Sequence, residues 1–132
     1  KSNVFIVISD GELQEGSTWE AIMLIPSLKL NNVVLIVDNN NLQSLEKTSK
    51  SHPYLYPIDK KFQSFGWASE ICDGHNSSEI FKKIKNRNKK KPYALVAQTI
   101  KGYPISFMKN KPIWHYKSPN KDELEVAMKE LI

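Results

Sequence analysis

Residues 4–11 read Val-Phe-Ile-Val-Ile-Ser-Asp-Gly, and residues 33–42 read Val-Val-Leu-Ile-Val-Asp-Asn-Asn-Asn-Leu. Each is a short apolar run, rich in β-branched residues, that stops abruptly at Asp, Asn or Gly. Such a run, without polar alternation, predicts a strand covered on both faces, as in a parallel sheet. Residues 93–97 (Tyr-Ala-Leu-Val-Ala) read the same way, and residues 67–72 (Trp-Ala-Ser-Glu-Ile-Cys) give a weaker, mixed fourth strand. Helical spacing separates the runs. Trp19, Ile22, Met23 and Leu30 mark a helix over 18–30, although Pro26 inside it is expected to kink or break it. A short helix is predicted over 59–65, ended by Gly66. Ile80, Phe81 and Ile84 share one side of a helix over 77–88. A last helix over 120–131 opens with Asn120 as N-cap and Glu123 three residues on, close to a capping box. Strands alternating with helices predict an α/β fold: a mostly parallel sheet, right-handed crossovers and helices on both faces.

Working outward, the loops at 39–57 and 100–119 are longer than the usual connections of about 2–6 residues, which marks them as functional candidates. In open α/β sheets, ligands bind beyond the carboxyl ends of the strands. The loops after Ile8, Val37 and Thr99 all leave from that edge. There, Asp10 and Asn40 follow neighbouring strands. A hard Mg²⁺ ion takes oxygen ligands: one or two protein carboxylates or amides, waters and phosphate oxygens. Gly11 would let the backbone approach a phosphate. The residue types therefore suit a Mg²⁺–diphosphate site. Asp-Gly and Asn-Asn are also ordinary turn formers at strand ends, so the residues alone leave both readings open.

The composition bounds these readings. The chain has 132 residues, 40% hydrophobic and 25% charged, which fits one globular domain and excludes disorder as its main state. No apolar run approaches the roughly 18 residues of a membrane span, and no secretory signal pattern is present. A single Cys72 suggests a reducing compartment, so a cytoplasmic location is expected. The chain lacks an initiator Met and starts close to a strand, which suggests a piece of something larger. Its net charge is +5. The basic run Lys82, Lys83, Lys85, Arg87, Lys89, Lys90 and Lys91 has no interleaved aromatic residues, so it reads as a solvated face rather than a nucleic-acid surface.

Residues 9–43, SDGELQEGSTWEAIMLIPSLKLNNVVLIVDNNNLQ, closely resemble the thiamine diphosphate signature of transketolases. That family shows G-D-G-E, L-Q-E-G and W-E-A, then a helix, then I-V-D-x-N-x-L-Q. The similarity continues through Phe65-Gly66-Trp67 and Asp73-Gly74. It ends in residues 99–120, TIKGYPISFMKNKPIWHYKSPN, which look like the family's T-x-K-G block and its Trp-His block. Pyruvate dehydrogenase alpha chains fit less well, having Asn-Gln-Gly where this chain has Gln14-Glu15-Gly16. Deoxyxylulose phosphate synthases lack the blocks around Trp19 and Trp114-His115.

The resemblance implies thiamine diphosphate as cofactor, held through Mg²⁺ (or Ca²⁺) by Asp10, Asn40 and the Leu42 carbonyl. Gly11 and Glu12 would lie at the diphosphate. His115 would stand near diphosphate and substrate, donating a hydrogen bond there as the one catalytic side chain of this stretch. Glu15 and Glu20 match glutamates near a dimer interface, although acids at a helix N-terminus also complement its dipole. The implied reaction moves a two-carbon ketol unit between sugar phosphates. Residues 1–132 would form the C-terminal part of a diphosphate-binding domain, in a split-type N-terminal section or a fragment of one. A pyrimidine-binding domain or chain must then complete the site, in a dimer or higher oligomer, and the chain is expected not to catalyse alone. A non-catalytic transketolase-like interaction module is the competing reading. Four departures favour it: Ser9 and Pro104 in place of glycines, Pro26, and Tyr116 after the Trp-His pair.

Overall fold

The structure, a computed structural model, describes residues 2–44 and 46–131. Lys1 and Ile132, the ends of the expected domain, lie outside the described residues. The chain forms β1 (Val4–Ser9), a 3-10 turn (Gly11–Gln14), α1 (Gly16–Ser27) and β2 (Val33–Asn39). The antiparallel pair β3 (Leu42–Gln43) and β4 (Glu46–Lys47) follows, then α2 (Thr48–Ser51), a 3-10 turn (Pro53–Leu55) and α3 (Ile58–Ser64). Next come β5 (Ala68–Asp73), α4 (Ser77–Asn86), β6 (Tyr93–Gln98), a 3-10 turn (Pro112–His115) and α5 (Lys121–Glu130). The loop over 39–57 is thus built from short elements, not from irregular chain.

The main sheet has the order β1-β2-β6-β5, and every pair is parallel. The connections from β1 to β2 and from β2 to β5 run outward, whereas the one from β5 to β6 runs back. A right-handed crossover that reverses direction must place its helix on the opposite face. Accordingly Ile22 of α1, Ile58 and Phe62 of α3, and Trp67 pack with Leu35, Val37, Ala94 and Val96. Ile80 and Ile84 of α4 pack on the other face with Val34, Tyr93, Leu95 and Ala97.

This topology corrects one expectation. β1 is an edge strand, and the helix of the returning crossover packs on the second face against residues of β2, β5 and β6, with none of β1 in that cluster. Ile6 and Ile8 pack toward the first core, but Phe5 is 57% and Val7 69% exposed. An apolar run therefore did not mean burial on both sides. Two helix faces also differ from expectation. Phe81 is exposed while Ile80 and Ile84 pack inward, and Met23 and Leu30 are exposed while Ile25 joins Ile22 in the core. The basic run is not wholly solvated. Lys83 pairs with Glu70 at 2.8 Å, and half-buried Arg87 donates to the Ile84 carbonyl at 2.9 Å and to Asn3 Oδ1 at 2.7 Å. Among the described residues, no helix is long and apolar enough to cross a membrane.

Pro26 does not break α1, which continues to Ser27. The proline sits in the last turn and removes the N–H that would bond the Ile22 carbonyl. The indole of Trp67, 2% exposed, donates to that carbonyl instead, at 2.9 Å. The ring also meets Phe62 edge-on, with centroids 5.6 Å apart. At the far end of the chain, the Asn120–Glu123 capping box forms in full and opens α5.

Candidate functional site

Ser9 lies opposite Asp38, and Asn39 opposite Gln98, so three parallel strands end side by side. The loops leaving β1 and β2 are stitched together there. The Asp10 N–H donates to the Asp38 carbonyl at 3.0 Å. Asp10 Oδ2 accepts the Asn41 N–H at 2.9 Å and the Tyr56 hydroxyl at 3.4 Å. The Asp10 residue is fully buried, yet its Oδ1 atom has no hydrogen-bond partner. The buried Thr48 hydroxyl stands close enough to the Asp10 carboxylate to act on its charge but makes no well-formed hydrogen bond to it, so neither Thr48 Oγ1 nor Asp10 Oδ1 is satisfied.

Burial pushes the Asp10 pKa up, and the nearby charge of Asp38 adds to this. The Thr48 hydroxyl, the Asn41 N–H and the Tyr56 hydroxyl oppose that rise without cancelling it. Tyr56 is itself pushed up to about 12, first by burial and then by Asp10, so it remains a neutral donor. A buried carboxylate with one free oxygen is an unfavourable arrangement unless a cation or a proton completes it.

Asn40 sits in the loop that Asp10 holds. Its Oδ1 accepts the Leu42 N–H at 2.8 Å, which leaves that oxygen a second lone pair. Asn41 has a positive φ of 58°, and its side chain ties the loop to Ser49 and Tyr56. Gly11 begins the 3-10 turn. A Cβ built there would meet Ser9 Oγ at 3.6 Å and Gln43 Cβ at 3.7 Å, which is ordinary contact. The protein's own packing therefore does not require glycine at this position.

Glu12 faces back into its own turn. Its Oε2 accepts the Ser9 N–H at 2.8 Å, while Ser9 Oγ accepts the Glu12 N–H at 3.1 Å. Ser9, where the family pattern has glycine, thus closes the turn with a bond that glycine could not make. Glu15 and Glu20 are exposed at and near the start of α1. His115 is exposed, with its Nδ1 3.4 Å from Lys101 Nζ and its ring edge-on to Tyr116 at 4.8 Å. No hydrogen bond joins His115 to Asp10, Asn40 or Leu42 among the described residues. Geometry thus gathers Asp10, Gly11 and the loop over 40–42 and leaves His115 on the separate long loop. Sequence reasoning assigned no role to Thr48, Tyr56 or Lys101. Lys101 lies inside the T-I-K-G block; Thr48 and Tyr56 meet Asp10 only through tertiary folding.

A parallel sheet with a buried, half-satisfied carboxylate where neighbouring strands end defines an α/β ligand-binding domain. The domain family described as "Transketolase, thiamine diphosphate binding domain" matches residues 1–131, and the chain belongs to it. It is 37% identical over 132 residues to one of the subunits of the apulose-4-phosphate transketolase of Actinobacillus succinogenes, covering 99% of this chain and 48% of that one. It is 32% identical over 132 residues to the 6-deoxy-6-sulfo-D-fructose transketolase subunit of a Clostridium, covering 98% and 48%. Human transketolase is 36% identical over 128 residues, covering 97% of this chain and 20% of that one. The chain therefore spans about half the length of the two bacterial relatives and a fifth of the human enzyme. Among solved structures, a Pichia stipitis transketolase superposes with a TM-score of 0.88 at 21% identity, over all of this chain and 20% of that one.

Proposed function

We propose that this chain supplies the Mg²⁺–diphosphate half of a thiamine diphosphate site in a transketolase-like transferase. The observation that carries the reading is the buried, unpartnered Oδ1 of Asp10 at the ends of β1 and β2. A divalent cation would satisfy that oxygen and offset the burial that raises the Asp10 pKa. Asp10, the second lone pair of Asn40 Oδ1 and the Leu42 carbonyl form a set of hard oxygen donors. Among the described residues, no cluster of three or more His, Cys, Asp or Glu side chains could hold a metal alone. A shell completed by phosphate oxygens and water fits such a set, for Mg²⁺ or Ca²⁺.

When bound, thiamine diphosphate supplies the carbanion chemistry of ketol transfer. This chain's residues bind and orient it. At Gly11, where no side chain stands between the backbone and a ligand, the main chain can approach a phosphate, and Tyr56 and Asn41 hold Asp10 in place. Lys101 and His115 present a cation and an imidazole on the loop that follows β6, suited to phosphate or sugar oxygens. The Glu12 carboxylate acts on the diphosphate through the turn that it closes with Ser9. Glu15 and Glu20, exposed at and near the start of α1, suit contact with a second protomer in a dimer or higher oligomer. A pyrimidine-binding domain or chain completes the cofactor site; two relatives are themselves named as subunits, which supports this division. Sugar phosphates are the substrate class, and the cytoplasm is the location.

The test is thermal unfolding of the chain during titration with thiamine diphosphate and Mg²⁺, alone and with a pyrimidine-domain partner chain. Binding stabilises by RT ln(1 + [L]/Kd), about 2.7 kcal/mol at a hundredfold excess over Kd. Asp10→Ala should remove the upward shift. Absence of any shift in both settings would leave the chain a non-catalytic interaction module.

A further inference from the structure

We infer that His75 is a positioning residue that fixes the root of the loop over 99–116 and, through it, the Lys101–His115 pair; its link to catalysis rests on the function proposed above. The loop leaves β6 beside the end of β5. There the Gly74 N–H donates to the Gln98 carbonyl at 2.8 Å. A Cβ at Gly74 would lie 2.4 Å from Thr99 Cγ2 and 2.9 Å from the Gln98 carbonyl oxygen, so the turn can lie flat on the strand exit only as glycine. This close approach delivers the next residue, His75, over the start of the loop. Asp73 Oδ1 accepts the His75 N–H at 2.9 Å and sets its backbone.

The imidazole then makes two contacts with the loop. His75 Nε2 accepts the Ile100 N–H at 2.8 Å, which requires a neutral ring with its proton on Nδ1. The ring face lies against Tyr103, with centroids 4.1 Å apart. Between those two points sits Lys101. Its Nζ is 3.4 Å from His115 Nδ1, and its carbonyl accepts the Asn110 N–H at 2.9 Å. Thr99, one residue before Ile100, is bonded to Asp38 and Asn39 of β2. His75 therefore grips the loop on both sides of the residue that contacts His115. Nothing on β6 itself does this, because the strand ends at Gln98.

The two contacts can be separated. His75→Phe keeps a ring against Tyr103 but loses the acceptor. His75→Gln places an amide oxygen near the position of Nε2 and keeps the acceptor. The first readout is hydrogen exchange of the Ile100 amide without any ligand. Loss of one hydrogen bond should raise its exchange about threefold to tenfold in His75→Phe. Exchange in His75→Gln should stay near wild type. The second readout is the Kd for thiamine diphosphate with Mg²⁺ in the complete assembly, expected to weaken by a similar factor in His75→Phe and to recover in His75→Gln. Unchanged exchange in His75→Phe overturns the inference. Faster exchange with unaltered Kd overturns the positioning role and leaves a purely structural contact. A wild-type assembly that binds no thiamine diphosphate refutes the proposed function instead, while exchange still decides whether His75 holds the loop.

Discussion

Replacing Trp67 by phenylalanine keeps an aromatic ring near Phe62 but removes the N–H that serves the Ile22 carbonyl. That carbonyl lost its helical partner to Pro26, so in Trp67→Phe it is left without either donor. A buried acceptor stranded in this way costs about 1–3 kcal/mol. The missing second ring of a side chain that is 2% exposed adds a cavity term, for about 2–4 kcal/mol in all. Pro26→Ala restores the N–H at position 26. In wild type this should add less, because the Ile22 carbonyl already has one donor in Trp67 and a second bond to its other lone pair gains less than the first, while the gain in helix propensity is opposed by a freer unfolded chain. In the Trp67→Phe background the same change should recover about 1–2 kcal/mol, the net value of a returned bond to a buried acceptor. Urea unfolding of the four proteins gives this coupling directly as a double-mutant cycle. Additive effects, with Pro26→Ala worth the same in both backgrounds, would refute the compensation.

Four further outcomes are expected. Burial raises the Asp10 pKa, so folding favours its protonated form, and stability falls as pH rises through the folded value; Asp10→Asn should therefore be at least as stable as wild type without ligand while losing the shift induced by thiamine diphosphate and Mg²⁺. Glu123 is held below the usual carboxylate range by Lys117 and the Asn120 N–H, and Glu130 by Ser106. Their contribution is present above the ordinary carboxylate pKa and is lost as pH falls through the folded values, so proteolysis near α5 should accelerate on acidification, and less so in Glu123→Gln. Gly102 has a φ of 81° and no room for a Cβ, which would lie 2.6 Å from the Met108 carbonyl oxygen; Gly102→Ala should destabilise by more than about 1 kcal/mol in denaturant unfolding. The purified 132-residue chain should show no ketol transfer in a coupled assay; turnover by the chain alone would overturn the need for a completing domain.

Much of the fold was legible because its signals are local. The β-branched runs, Gly66 and the Asn120–Glu123 pair marked elements whose ends moved by only a few residues. The fate of individual side chains was not legible in the same way. Phe5 and Val7 have the same sequence pattern as the buried residues of β2, but β1 lies at the edge and the returning crossover does not reach its second face. Pro26 reads as a helix breaker until Trp67, from a distant strand entry, supplies the missing donor.

The candidate site divides along the same line. Asp10, Gly11 and Asn40 could be named from sequence because they follow directly on strands that a parallel sheet must bring together, whereas Leu42 came only from the resemblance to the transketolase signature. Tertiary structure alone decided that Asp10 is buried with one free oxygen, since that depends on Thr48, Asn41 and Tyr56 closing over it. It also decided that Glu12 turns back to Ser9, and that His75 reaches the loop carrying Lys101 and His115. Residue types and spacing set which groups arrive at the strand ends. Which of their polar atoms stay unpaired depends on neighbours remote in sequence, and those unpaired atoms are where the proposed ligand would gain its binding energy.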